Sequence, residues 1–377
     1  MKNNFLTLCF LVSLSVGIYA QDLNNPIVTA VPSLSIAPDA RAGGMGDVGA
    51  ATAPDINSQY WNPSKYVFME SAAGMSVSYT PWLRKLVTDI DLAYLAGYYK
   101  FDNNQAVSGS LRYFSLGDIQ LMDEFGITQN TAHPNELAID GAYSRKFSDK
   151  LSGAVALRFI YSDLGNGIQN SEIYPGWTVA ADVSAYYKTP VALQGVDGNL
   201  AIGLNISNIG GKVSYDDYLS SNFIPTNMRL GGSLEYPIDT YNKISVSADL
   251  NKLLVPTTSS AKLASDANYY NNMSSITGIF QSFSDAPGGF KEEMEEIMWS
   301  VGAEYAYNNQ FFVRGGYYNE SQYKGNRKYF TAGAGFKLNV FQLDAGYVIS
   351  TSQTNPLDQT LRFTLSFDLY GLKNLIK

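Results

Sequence analysis

From residue 73 to residue 370 the chain repeats one pattern: apolar residues alternate with small polar ones, and turns break the alternation. Leu151, Gly153, Val155, Leu157, Phe159 and Tyr161 share one face of such a run; Ser152, Ala154, Ala156, Arg158 and Ser162 share the other, interrupted by Ile160. Residues 199–207 set Leu200, Ile202, Leu204 and Ile206 against Ala201, Gly203, Asn205 and Ser207. The last run sets Leu361, Phe363, Leu365, Phe367 and Leu369 against Arg362, Thr364, Ser366 and Asp368. A period of two marks strands whose two faces meet different surroundings. The runs fall near 73–82, 91–101, 105–115, 136–147, 150–162, 176–188, 199–208, 228–236, 243–251, 297–307, 311–319, 328–338, 340–350 and 360–370, about fourteen in all. An even number of antiparallel strands, each about 9–11 residues long, is what a bacterial outer-membrane barrel requires.

The connections alternate in length. Short ones sit at residues 102–104, 148–149, 237–242, 308–310 and 339, with a medium one at 189–198. Long ones fall near 83–90, 116–135, 163–175, 209–227, 252–296, 320–327 and 351–359. Such barrels have short periplasmic turns and longer outer loops, so both chain ends are expected in the periplasm. A soluble sandwich would also alternate, but it would tend to place charges on its wet face. Here the polar face is mostly Ser, Thr, Gly and Asn, and Tyr, Phe and Trp gather near strand ends, as an interfacial girdle would. The fold is therefore read as all-β, a transmembrane barrel of about fourteen antiparallel strands over residues 73–370, with a periplasmic tail at 371–377.

Residues 34–71 break the pattern, with neither strand alternation nor a helical period. Gly43, Gly44, Gly46 and Gly49 allow close packing and positive φ, and Pro63 holds Asn62 extended. A compact, irregular segment directly ahead of a barrel suits a hatch folded inside the lumen, assigned to residues 21–72. Gly44, Gly46 and Gly49 also satisfy GxGxxG by letter. A dinucleotide site needs a strand before that motif and a βαβ unit around it, and neither is present.

Composition supports the membrane reading. Charged residues are 16% of the chain, against about 25% in ordinary soluble domains. Tyr, with 27 copies, is the commonest aromatic, and Gly reaches 33. The net charge of −8 argues against nucleic acid and anionic lipid surfaces as partners. Residues 1–20 read as a secretory signal, with Lys2 ahead of an apolar core from Phe5 to Val16 and Ala20 before the cut. Cys9, the only cysteine, lies inside it, so no disulfide or cysteine metal site is expected in the mature chain.

Residues 38–66, PDARAGGMGDVGAATAPDINSQYWNPSKY, resemble the N-terminus of the PorV proteins, outer-membrane components of the type IX secretion system of Bacteroidetes. The likeness continues through SYTPWLRKLVTDIDLAYLAGYYK at residues 78–100. More distantly the segment is similar to the hatch of the FadL long-chain fatty-acid transporters, whose motif is Asn-Pro-Ala; here Trp61, Asn62 and Pro63 are followed by Ser64. The resemblance implies fourteen strands, a lumen hatch and no cofactor. It implies a shuttle or receptor that takes the C-terminal domains of secreted cargo from a large outer-membrane translocon to a surface complex. There a PorU-type sortase attaches the cargo to lipopolysaccharide. A FadL-like transporter of hydrophobic small molecules is the alternative, which would show an apolar pocket above the hatch and a kinked strand opening the wall. A lipid A deacylase is the second alternative.

Few residues suggest chemistry. His133 is the sole histidine, so it is the one histidine candidate for the base of a Ser-His-Asp hydrolase; its setting, Thr131-Ala132-His133-Pro134-Asn135, reads as a turn beside a strand. Asp216 and Asp217 fall short of a cation cage, and no metal or phosphate-loop spacing is present. Inward-facing charges recur at Arg112, Asp140, Arg158, Asp182, Arg229, Asp249, Glu304, Arg314, Lys337, Asp344, Arg362 and Asp368. Buried charges are costly unless paired, so a paired network with Asp39, Arg41, Asp47 and Asp55 of the hatch is expected rather than a permeation path. The longest loop carries Ile279, Phe280, Phe283, Phe290 and Met294 and ends in a short helix, and loops of that length are commonly functional. With Leu83, Arg84, Lys85 and Leu86 of the loop at 83–90, these residues are the candidates for partner contact.

Overall fold

The computed structural model describes residues 25–84, 87–122, 125–126, 128–168, 172–193, 196–216, 220–351 and 357–376. The signal segment with Cys9 lies outside the described residues, as do Lys85, Leu86 and Asp217.

The strands are β1 (Ala73–Pro81), β2 (Asp91–Lys100), β3 (Gln105–Ser115), β4 (Ile119–Met122), β5 (Thr128–Ala132), β6 (Asn135–Lys146), β7 (Leu151–Asp163) and β8 (Gly176–Leu193). They continue with β9 (Val196–Gly210), β10 (Asn227–Pro237), β11 (Asn242–Leu253), β12 (Met298–Tyr307), β13 (Phe311–Asn319), β14 (Lys328–Leu338), β15 (Phe341–Ser350) and β16 (Leu361–Asp368). All but β4 and β5 form one closed antiparallel barrel of fourteen strands, each beside its chain neighbour. β1 closes the ring on β16, from Gly74 opposite Asp368 to Tyr79 opposite Phe363. Closure is what the residues demand: in hydrocarbon an unpaired backbone group costs several kcal/mol, so a sheet edge is not tolerated there. Outward positions such as Val77, Leu157 and Val313 are exposed and apolar, while Ser76, Ser144, Ser152 and Ser300 face inward and are buried.

Four details depart from the sequence reading. The loop at 116–135 contains its own hairpin, β4 with β5. The connection read at 189–198 is strand: β8 pairs with β9 as far as Leu193 opposite Val196, whereas β7 stops pairing at Leu151 opposite Tyr187. The result is a ribbon beyond the short-turn end of the barrel. β16 stops at Asp368, whose carboxylate accepts the Gly371 N–H at 2.8 Å, and Leu369–Ile376 is helical. Finally, the described chain begins among the long loops rather than in the periplasm. Asn25 N–H donates to Tyr323 O at 2.9 Å and Ala30 N–H to Phe223 O at 2.8 Å.

From that mouth, residues 30–69 run down through the lumen as short helical turns, Pro32–Ser35, Ala40–Gly43, Ser58–Trp61 and Pro63–Phe68. Glycines on the wall make room for them. A Cβ on Gly302 would overlap Met45, and one on Gly316 would come to 2.6 Å of Met45 O and closer still to Gly46 N. Gly203 meets Ala50 in the same way, and Gly333 meets Gly44.

Candidate functional site

Carboxylates and guanidiniums from both parts join the inner segment to the wall. Arg41 bridges Asp55 (2.7 Å) and Glu304 (2.9 Å); Glu304 also takes Arg314 at 2.6 Å, and Arg314 reaches Asp344 at 2.6 Å. Arg362 pairs with Asp47 at 2.5 Å, and the Tyr329 hydroxyl donates to the same carboxylate at 2.6 Å. On the opposite wall Arg158 lies between Asp140 (3.0 Å) and Asp182 (2.9 Å), while Gln59 Nε2 donates to Asp140 at 2.6 Å. Asp249 accepts the Gly49 and Ala50 N–H groups at 2.8 and 3.0 Å. Removing one partner from such a buried pair costs about 3–5 kcal/mol, because the other charge is left stranded. Lys337 and Asp368 line the short-turn end instead, around a cavity of about 390 Å³.

The Trp-Asn-Pro-Ser motif fastens the segment. Trp61 Nε1–H donates to Asp39 at 2.6 Å, and Asn62 Nδ2 donates to Ala50 O and Ala185 O, both at 3.0 Å. Pro63 O accepts from Ser144 at 2.8 Å, and Ser64 O accepts from Ser152 at 2.6 Å. Ser64 also bonds Asn62 through its own hydroxyl. The glycines that spell GxGxxG serve close contact: Gly44 lies on Gly333, Gly46 on the Tyr317 backbone, and Gly49 against the Trp61 ring.

Over the mouth, the 254–297 loop folds into the short helices Ser260–Ser265, Tyr269–Asn272, Ser275–Gln281 and Phe290–Glu295. The last of these is inverted relative to an ordinary surface helix. Glu293 and the adjoining Glu296 are 9% and 3% exposed, while Phe290 and Met294 are 81% and 50% exposed. The buried acids are held by Lys252, 3.1 Å from Glu293 and 2.6 Å from Glu296, and by Lys324, 2.5 Å from Glu292 and 3.1 Å from Glu296. Asn25 Nδ2 donates to Glu292 at 3.1 Å, so the beginning of the described chain joins the cluster. Burial opposes charge on Glu292, but Lys324, the Gly288 N–H and Asn25 together hold its carboxyl below the usual range. Asp285 goes the other way: burial and the nearby Glu296 push it up to about 6.

The sequence model of the family described as "Type IX secretion system protein PorV" matches residues 19–260, more than half of the chain. The chain belongs to the PorV family. Among solved structures it is similar to the Pseudomonas putida toluene transporter TodX, at 10% identity, over 86% of this chain and 96% of that one, with a TM-score of 0.52. The TodX deltaS2S3 mutant, a monoaromatic hydrocarbon channel, gives 12% identity, 87% and 98% coverage and a TM-score of 0.54. A Pseudomonas aeruginosa FadL homologue is 10% identical, over 92% and 99%, with a TM-score of 0.42. At such identities the likeness is one of fold alone. No curated protein matches in sequence.

In this PorV-family barrel the candidate contact residues divide. Phe280, Phe283, Phe290 and Met294 are exposed on the outer loop, whereas Ile279 is half-buried. Leu83 packs against the cluster of Met298, Tyr318, Tyr329, Val348 and Leu357, and Arg84 pairs with Asp91 at 3.0 Å. His133 sits exposed between β5 and β6; among the described residues its ring has one hydrogen-bond partner, Asp118 at 2.6 Å. Asp216 accepts from Ser214 and Ser220 within a turn. Sequence reasoning passed over Lys65, which is fully buried and donates to Gly49 O at 2.8 Å, and the Lys252 and Lys324 cluster. Their partners lie far away along the chain, and no local spacing announces them.

Proposed function

We propose that this outer-membrane protein serves type IX secretion as a shuttle or receptor. On this reading it takes cargo C-terminal domains from a large translocon and presents them to the attachment complex that holds a PorU-type sortase. The observation that carries the reading is the inverted helix Phe290–Glu295, which turns its acids inward and its apolar side chains outward. Exposed apolar patches of this kind commonly mark contact with another macromolecule. Phe280, on the helix that precedes Phe290–Glu295 in the loop, is also exposed, at 72%. A lumen closed by residues 30–69 suits contact better than conduction. The test is a chain carrying Phe280→Ser, Phe290→Ser and Met294→Ser, which leaves the Lys252 and Lys324 cluster intact. The barrel should still fold and reach the outer membrane, while cargo stays unreleased. Normal secretion from such a strain would refute the role of the loop.

The FadL-like alternative draws on the fold of the toluene transporters. Its expected apolar pocket above the hatch corresponds to a cavity of about 60 Å³ whose lining includes Asp47, Arg229, Asn251 and Arg327. The wall has a bulge where Asp182 of β8 faces Ser207 and Asn208 of β9, yet pairing resumes on both sides of it. The deacylase alternative would rest on His133, whose ring contact is a carboxylate and not a nucleophile.

A further inference from the structure

An eight-residue helix, Leu369–Ile376, follows β16 at the short-turn end of the barrel. Asp368 fixes its start: the carboxylate accepts the Gly371 N–H at 2.8 Å and the Ser71 hydroxyl at 2.5 Å. An aspartate placed just ahead of the first turn is a favoured cap. Gly371 faces the protein, since a Cβ there would come to 3.0 Å of Val340 Cγ1, in the turn between β14 and β15. With about 3.6 residues per turn, Leu369, Tyr370, Leu372 and Lys373 occupy the circumference away from that contact. All four are exposed, Leu369 at 38%, Tyr370 at 52% and Leu372 at 37%. A helix on a wet surface turns its apolar stripe to the core and its polar side out; here the order is reversed. These residues do not line the cavity of about 390 Å³ at this end of the lumen. Leu369 instead continues the exposed apolar row Leu361, Phe363 and Leu365 of β16, and the exposed Leu338 and Phe341 flank Val340.

We propose that this helix lies in the headgroup boundary of the periplasmic leaflet and anchors the closing seam of the barrel to phospholipid. The face is continuous with a wall already wetted by hydrocarbon, so the side chains one turn beyond β16 meet the same phase. Leu369 and Leu372 enter the edge of the acyl region, and the Tyr370 ring, apolar with a polar tip, suits the interface. Lys373 runs its stem along that apolar side and carries its ammonium to the phosphate oxygens. One lysine asks for no anionic lipid; a zwitterionic headgroup offers the same phosphate. A helix this short is marginal in water by itself, so a second supporting surface matters to it. It packs on β1 and β16, the two strands that close the ring, and Asp368 ties its first turn to Ser71 ahead of β1. The anchor lies at the opposite end of the barrel from the outer loop and stands independently of the role proposed for that loop.

Cys9 is the only cysteine, so a Cys9→Ser background allows a single introduced thiol to carry an environment-sensitive fluorophore. Leu372→Cys is labelled in the full chain and reconstituted at low protein density into phosphatidylcholine vesicles, with and without bromine on the acyl chains. Leu365→Cys, on the lipid-facing wall, is the hydrocarbon reference; Asp149→Cys, exposed in the turn between β6 and β7, is the water reference. The label at 372 should emit at shorter wavelength and be quenched by brominated lipid, as at 365, while the label at 149 shows neither effect. Tyr370→Cys should also be quenched, and it guards against a Leu372 variant that does not fold. Heat-dependent gel migration reports whether each variant is a barrel. Three results would each overturn the proposal. The first is emission at 372 and 370 that matches position 149. The second is protection that grows with protein density, which assigns the face to a second copy. The third is protection found in native outer membranes and absent from pure lipid, which assigns it to a periplasmic protein.

Discussion

Gly315 and Gly316 are neighbours on β13 and point to opposite sides of the wall, which makes them a paired test of the lumen packing. A Cβ on Gly316 would come to 2.6 Å of Met45 O, and closer to Met45 C and Gly46 N. On Gly315 the nearest atom would be Thr331 O at 3.8 Å, an ordinary contact. Gly316→Ala must therefore push the 45–46 backbone off the wall, and overpacking of this kind costs about 1–3 kcal/mol. The shift also threatens the Gly46 N–H bond to Thr331 Oγ1 at 2.7 Å, worth about 0.5–1.5 kcal/mol net. Together these loosen the inner segment by roughly 2–4 kcal/mol, which is about 30- to 1000-fold in its opening equilibrium. Amide hydrogen exchange across residues 40–50 reads that equilibrium, and trypsin cleavage after Arg41 reads it independently. Gly316→Ala should exchange and be cut faster, while Gly315→Ala matches the wild type. Equal protection in the two variants would refute the packing argument.

The outer cluster makes a pH prediction. The folded pKa of Asp285 is raised to about 6, so the folded loop binds a proton that the unfolded carboxyl, near 3.8, has already lost. Loop stability should therefore fall as pH rises from about 4 to about 6 and stay level above that. Asp285→Asn should flatten the profile, and limited proteolysis of 254–297 across that range checks it. A second prediction concerns topology: an epitope inserted just before Asn25 should be reached by antibody on intact cells, and one after Lys377 should not. The reverse pattern would mean that the inner segment enters from the periplasm. Third, His133→Ala should leave lipid A unchanged in its acylation and shift stability by no more than about 0.5 kcal/mol, since the loss of one exposed surface contact matters little. Loss of a deacylase activity from the purified variant would show that the histidine is catalytic.

The strands were legible because hydrocarbon on one side and a polar lumen on the other write a period of two into every run. Even the termini of most strands follow, since turns fall where the alternation breaks. The ribbon at 189–198 was hidden by Pro190 and by Gly195 and Gly198, which read as loop. Yet past Tyr187 the outer edge of β8 lacks a barrel neighbour, and proline is tolerated where no ladder bond is needed. The position of Asn25 at the mouth could not be read at all. A segment without period does not reveal by which end it enters a lumen, and loop alternation speaks only for the strands. Charged pairs were legible as a class, because inward charges must be neutralised; Gln59 with Asp140, or Lys324 with Glu292, depend on packing across distant elements. Arg84 looked like an exposed basic contact, but its guanidinium is turned back onto Asp91 and the Thr88 carbonyl.

Co-purification decides most directly whether the outer face of this barrel works by contact. The full chain, tagged after Lys377, is extracted from native outer membranes beside the Phe280→Ser, Phe290→Ser, Met294→Ser form. The wild type should bring with it a large translocon or a sortase complex, and the triple variant, equally abundant and equally folded, should lose that companion. Recovery of the same companions by both chains, or of lipid alone by the wild type, would contradict the account.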